Sequence, residues 1–291
     1  MSILEGFLQG IIQGITEFLP VSSDGHLALF QHFFGLSGEN AMFFTVMLHV
    51  GTLLAVFIAF YKTIWEMIVE AFRMIGDIFT RRFKYSEANE ARRGVIMILL
   101  SLVPLLAFFF VKDWFSALAE DGDIIVEGCC FLFTGALLFL ADKCVKGKKT
   151  AIDMKPREAL RIGFFQGLAA LPGVSRSGST ISIGLLSGFS KEFMVSFSFI
   201  MGIPAIMGAS LFEFLDATKE GISFSLPLII GMLTAAVVGF AAIQLLRWLV
   251  KTDKFGIFAY YTLILGVVVL AVGVIEMLAG NDIVHIIGNI F

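Results

Sequence analysis

The chain has 291 residues and a net charge of −3; 58% of its residues are apolar and only 15% are charged. Its mean hydropathy is +0.91. Soluble globular chains average about 25% charged residues and need a polar skin. The composition therefore excludes a cytosolic enzyme, a secreted disulfide scaffold and a disordered protein, and the mildly acidic balance argues against a nucleic-acid partner.

Residues 2–34 begin as an apolar helical pattern that is interrupted at Pro20, Ser22, Ser23, Asp24, Gly25 and His26. Each arm is only about 10–15 residues long, whereas a crossing helix needs roughly 20. At membrane depth such a break is tolerated only inside protein or beside a water-filled cavity. The segment is read as a re-entrant helical hairpin. The initial residues carry no basic n-region, so they are not read as a cleavable signal peptide. Spanning helices are expected at 41–60, 93–111 and 124–141. Between the first two, Trp65 to Phe79 mixes Glu66, Glu70, Arg73 and Asp77 with Ile68, Phe72 and Ile75, the pattern of a helix lying in the membrane interface. Cys129, Cys130 and Cys144 have no metal-ligand spacing and read as small apolar fillers.

After a basic linker the first pattern returns. Residues 159–189 are broken at Pro172, Gly173, Ser175, Arg176, Ser177 and Gly178, and spans are expected at 192–215, 226–249 and 257–278. Gly10-Ile-Ile-Gln13-Gly14 and Leu19-Pro20-Val21-Ser22 match Gly163-Phe-Phe-Gln166-Gly167 and Leu171-Pro172-Gly173-Val174-Ser175, an internal duplication with a period near 153 residues. The expected architecture is an all-α integral membrane fold, six transmembrane helices plus two re-entrant hairpins. Residues 1–145 form the first repeat and 150–291 the second, in one structural unit. Three crossings separate the hairpins, so the repeat is expected to be inverted, with its site between the halves. Eighteen Lys and Arg fall on one side, against Lys112 and Lys219 on the other. The positive-inside rule places both termini outside the cytoplasm.

Arg176 is the one cation outside a loop or helix end. A charge at membrane depth costs several kcal/mol unless it has a partner. Ser175 and Ser177 flank it and can cap the following helix, and Gly178 lets backbone approach a ligand. A guanidinium at a helix N-terminus makes an anion site suited to phosphate; pairing of Arg176 with Glu17 is the compatible structural reading. Gln13 and Glu17 are four residues apart and share a helix face. Glu17 and His26 can supply a general base, a general acid or metal ligation, and Ser23 can be a nucleophile. Asp24 suits an N-cap role as well as a chemical one. His49 reads mainly as a hydrogen-bonding residue between helices. His32 and His285 read as interfacial, and Glu127, Glu213, Asp216 and Glu276 as wetted span ends.

Gln13-Gly-Ile-Thr-Glu17-Phe-Leu-Pro20-Val-Ser-Ser23-Asp-Gly-His26 and Leu171-Pro-Gly-Val-Ser-Arg176-Ser-Gly-Ser-Thr180-Ile resemble the two signatures of the undecaprenyl-diphosphatase family, the membrane phosphatases of bacitracin resistance. The resemblance covers the whole length, including Phe197-Ser-Phe and Gly51-Thr-Leu-Leu-Ala-Val. It implies hydrolysis of undecaprenyl diphosphate to the monophosphate, recycling the carrier lipid for cell-wall synthesis in the cell membrane. By this resemblance Glu17, Ser23, His26 and Arg176 are the catalytic candidates. Gln13, Ser175, Arg176, Ser177, Gly178 and Thr180 would bind the diphosphate. A divalent cation, Mg2+ or Ca2+, is implied with Glu17 as a ligand, and a homodimer is compatible. Two positions depart from the family pattern: Gln13 leaves Glu17 as the one carboxylate of its motif, and Thr45 stands where many relatives have an acid. The rival reading is a lipid-carrier flippase or transporter, a class that also uses inverted repeats.

Overall fold

The computed structural model describes residues 2–34, 41–111, 123–144, 146–219 and 225–279. Lys112, His285 and both chain ends lie outside these residues, as do the side chains of Glu213 and Asp216. The described chain is helical apart from one isolated bridge between Lys149 and Phe189. The helices are α1 (Ile3–Phe18), α2 (Ser23–Phe34), α3 (Ala41–Ala59), α4 (Tyr61–Phe79), α5 (Glu90–Phe109), α6 (Ile125–Lys143), α7 (Pro156–Leu168), α8 (Arg176–Leu186), α9 (Lys191–Lys219), α10 (Leu226–Lys251) and α11 (Ile257–Ala279).

Helices α5, α6, α9, α10 and α11 are each long and apolar enough to cross a membrane, and α3 joins α4 at an 88° bend. The chain is a multi-pass membrane protein. Helix α4 keeps Trp65, Phe72 and Phe79 exposed, while Glu70 and Asp77 turn towards Arg92 of α5 at 3.0 and 2.7 Å.

The two short-helix pairs position the polar centre. Helix α1 starts with a capping box between Ser2 and Glu5 and carries two buried rows at four-residue spacing. Gln9, Gln13 and Glu17 form one row; Gly6, Gly10 and Gly14 form the other. The glycine row lies against α10: a Cβ at Gly10 would stand 2.5 Å from the Gly231 carbonyl oxygen. Small residues at this spacing let backbones close up where no hydrophobic effect drives helix association. Gly163 and Gly167 seat α7 on α5 in the same way, against Ser101 and Phe108.

Helix α1 stops at Phe18, before Pro20, and α7 at Leu168, before Pro172. The two breaks touch. Ser22 adopts φ +71° and Gly173 φ +93°, and the Ser22 Oγ accepts the Gly173 N–H at 3.1 Å. Thr134 of α6 supports the second break, donating to the Gly173 carbonyl and accepting the Ser175 N–H, each at 3.0 Å.

Several expectations need correction. Asp24 does not cap α2. Its neighbour Ser22 does so in effect, because the left-handed turn brings the Ser22 hydroxyl within 3.3 Å of the Gly25 N–H. Glu127 and Glu276 are buried rather than wetted. The second break lies over the first turn of α6, where a Cβ at Gly173 would meet the Glu127 carbonyl oxygen at 2.5 Å. His32 reaches across to Glu276 of α11 at 3.1 Å.

Candidate active site

A single carboxylate organises the polar centre. Glu17 lies at the buried end of α1. Its Oε2 accepts from Gln13 Nε2 at 3.0 Å, one helical turn back, and from Ser23 Oγ at 2.8 Å, across the first break. Its Oε1 accepts from Arg176 Nη2 at 2.6 Å. His49 of α3 comes from a third direction, with Nε2 at 3.4 Å from Glu17 Oε2 and at 3.4 Å from Asp24 Oδ1. The fold thus joins residues of the first break to a residue of the second through one ion pair.

Arg176 is held on two sides. Besides Glu17, its Nη1 donates to the Ser198 carbonyl of α9 at 3.3 Å. Gly202, one turn further on, leaves room for the guanidinium, since a Cβ there would run into Nη1. Ser175 caps α8, its Oγ accepting the Gly178 N–H at 3.0 Å, as expected for a residue ahead of a helix start. Ser177 Oγ lies 3.3 Å from Ser175 Oγ. Thr180 Oγ1 donates to the Arg176 carbonyl at 2.8 Å and lies 2.6 Å from Ser198 Oγ. Gly178 sits beside the first break, where a Cβ would approach the Pro20 carbonyl oxygen at 3.2 Å. The start of α8 thus brings the Arg176 guanidinium onto Glu17 with the hydroxyls of Ser175, Ser177 and Thr180 clustered beside it, and a guanidinium at a helix start is suited to a phosphate group.

His26 faces away from Glu17. Its Nδ1 lies 2.7 Å from the Ser22 carbonyl, an acceptor, so Nδ1 carries the proton. Its Nε2 faces the Tyr261 hydroxyl of α11 at 2.7 Å, with the two rings stacked at an 8° interplanar angle. The bond back to Ser22 turns the ring away from Glu17 and towards α11. Tyr261, Ser198, Thr134 and the pairing of His49 were not legible in the motifs. One signal was present: the 153-residue offset, extended into the spans, pairs Thr45 with Ser198 and His49 with Gly202.

Among the described residues, no group of three or more His, Cys, Asp or Glu side chains is arranged to enclose a metal ion. A protein-only cage therefore does not fit. A magnesium or calcium ion shared with substrate does fit. Such ions take one or two carboxylates, amide oxygens, waters and substrate phosphates. Gln13 Oε1 is buried without a hydrogen-bond partner among the described residues, and Gln13 is bonded to Glu17. An open amide oxygen beside a carboxylate is a hard-oxygen donor pair.

The chain is similar to known proteins over nearly its whole length. The family described as bacitracin resistance protein BacA matches residues 6–268. The chain is 40% identical over 274 residues to an undecaprenyl-diphosphatase of Alkaliphilus metalliredigens, covering 93% of this chain and 98% of that protein. It is 40% identical over 278 residues to one of Desulfosudis oleivorans, covering 94% and 99%. A relative of the same name from Bacteroides fragilis is 39% identical over 282 residues, covering 95% and 100%. With family match and relatives spanning almost its whole length, the chain belongs to the bacitracin resistance protein BacA family.

Proposed function

We propose that the chain is an undecaprenyl-diphosphate phosphatase of the cell membrane, releasing inorganic phosphate and returning the lipid monophosphate to cell-wall synthesis. The observation that carries this reading is the Glu17–Arg176 pair at 2.6 Å, at the start of α8. Phosphoryl transfer needs positioning and neutralisation of phosphate charge above all. Arg176, the α8 amides and the hydroxyls of Ser175, Ser177 and Thr180 do this. Incoming diphosphate takes the guanidinium from Glu17, and the freed carboxylate accepts a proton from the attacking group, either Ser23 Oγ or water. His26, with Nε2 bearing the lone pair, is the alternative nucleophile or base once Tyr261 releases it. A magnesium or calcium ion bound through Gln13 Oε1 and Glu17 would supply further charge neutralisation. The isoprenoid tail lies among the spans, in the bilayer.

The decisive experiment is phosphate release from undecaprenyl diphosphate by the purified protein in detergent, with and without chelator. Release that the chelator suppresses is the expected result. Absence of release under both conditions overturns the function. Release unaffected by chelator overturns the metal.

The same proposal includes an inverted repeat, 1–145 and 150–291, with both α1–α2 and α7–α8 as re-entrant hairpins. Support comes from crossed docking: α1 seats its glycines on α10, and α7 seats its glycines on α5. It comes also from segregation of the ends, since Lys146, Lys191 and Asp253 meet at one end while Gly6 meets Pro227 at the other. The positive-inside rule then puts the lysine-rich end in the cytoplasm. Cysteines introduced at Ser2 and Lys148, in a background lacking the native three, are expected to label from opposite faces of intact cells. Labelling from one face overturns the topology.

A further inference from the structure

We infer that His49 is a positioning residue that holds the Glu17 carboxylate in place when Arg176 is drawn away by substrate; the inference rests on the phosphatase reading above. Glu17 receives donors from both halves of the chain. Three come from the first half, Gln13, Ser23 and His49. The fourth is Arg176. A guanidinium drawn onto phosphate gives up its one bond to Glu17, so substrate binding removes the shortest of these contacts. The carboxylate then depends on its own half.

His49 is built for that task. Its Nδ1 lies 2.9 Å from the Thr45 carbonyl one turn back, which fixes the ring on α3. Carbonyl and carboxylate oxygens only accept, so with Thr45 at one nitrogen and Glu17 and Asp24 at the other both ring nitrogens carry protons. Its Nε2 faces Glu17 Oε2 and Asp24 Oδ1 at 3.4 Å each. One ring thus ties α1, α2 and α3 together at the carboxylate. The second half makes the matching contact with its own cation: Arg176 bonds the Ser198 carbonyl, the position offset by 153 residues from Thr45, and the counterpart of His49 is Gly202, emptied to admit the guanidinium. The two cations approach Glu17 from opposite halves, each anchored on an equivalent carbonyl. Arg176 exchanges partners during turnover and His49 does not.

The test compares His49→Leu, His49→Asn and His49→Gln with the parent and with Glu17→Gln as the inactive control. Turnover of undecaprenyl diphosphate and affinity for a non-hydrolysable lipid diphosphonate are measured in detergent. His49→Leu is expected to lower kcat by about 10- to 100-fold, the usual range for residues that orient a ligating or reacting group. KM and diphosphonate affinity should stay within about threefold. Gln reaches the carboxylates with an N–H donor and is expected to restore most of kcat. Asn is polar but too short, and should behave like Leu. The Asn–Gln contrast reads the proposal even if the Leu variant does not accumulate. Full turnover by His49→Asn overturns the inference. So does a loss of diphosphonate affinity as large as the loss of kcat, because His49 would then be a phosphate ligand. Failure of the parent itself to release phosphate would instead overturn the phosphatase reading.

Discussion

Glu17 and Arg176 are 159 residues apart in the chain and 2.6 Å apart in the fold. Each belongs to a different helix break, and each break alone is incomplete. The first break has a carboxylate, a serine and hydrogen-bond donors but lacks the guanidinium; the second has the guanidinium and the α8 amides but no acid. Their contact balances two ionic groups that neither half could hold unpaired at low cost.

Replacing Arg176 by Lys keeps the charge and loses the fork. The guanidinium bonds Glu17 with one nitrogen and the Ser198 carbonyl with the other, which a single ammonium cannot reproduce in the same plane. Turnover is expected to fall on the order of 100-fold, comparable to losing one preorganised donor. The assay is initial-rate phosphate release, and a rate close to the parent's would remove Arg176 from the phosphate clamp.

Replacing Glu17 by Gln separates chemistry from binding. The amide keeps the side-chain shape and loses the proton acceptor, so turnover should drop by about 10²- to 10⁴-fold. Affinity for a lipid diphosphonate should change little in the absence of divalent metal. Arg176→Ala should weaken that affinity. Equilibrium binding of both variants, repeated across metal concentrations, checks the division; the reverse ranking would refute it.

Gly202→Ala tests the room left for the guanidinium. A Cβ at Gly202 would collide with Arg176 Nη1, whereas one at Gly208 would meet nothing within 4 Å. Both changes sit within α9, where Ala is favoured over Gly by up to about 1 kcal/mol. Gly208→Ala should not melt below the parent, whereas in Gly202→Ala the displaced guanidinium weakens its buried pair with Glu17 and offsets that gain. Turnover should fall towards 100-fold for Gly202→Ala, since a displacement of about 1 Å at a reacting centre has that cost, and should persist for Gly208→Ala. Equal activities would show that the guanidinium does not need its present position.

Asp253 supplies a pH test remote from the site. Hydrogen bonds from Lys146 at 2.7 Å and Lys191 at 2.9 Å lower its carboxyl to about 2. The folded value is depressed below the ordinary carboxylate value of about 3.9. The pair therefore stabilises the fold above about pH 4, and the contribution disappears as pH falls through about 2. Asp253 is half-exposed, so the contribution is at most about 1 kcal/mol. Asp253→Asn should melt a few degrees below the parent at pH 7, and the gap should close on acidification or in high salt. A gap that persists at low pH would show that the charge of Asp253 is not its source.

The sequence alone determined the class of the protein. Apolar run lengths marked α3, α5, α6, α9, α10 and α11 as crossing helices, because span length follows from bilayer thickness; among the described residues α3 reaches that length only together with α4, across the 88° bend. Pro20 and Pro172 marked the two breaks, because proline removes a donor and clashes with the preceding turn. Glu17 and Arg176 stood out because ionisable groups among apolar residues are costly and therefore need partners. The sequence also offered Glu17 and Arg176 to each other; tertiary structure alone decided the partners that surround them. His49 and Tyr261 are ordinary polar residues in apolar helices, and helical periodicity says which face they share but not which helix covers that face. Only the packing of α1, α2 and α3 turns His49 onto Glu17, and only the approach of α11 gives His26 a tyrosine hydroxyl in place of the carboxylate. Such contacts join residues up to 235 positions apart, and their geometry is set by backbone close approach at glycine rows and at the touching breaks, neither of which local pattern encodes.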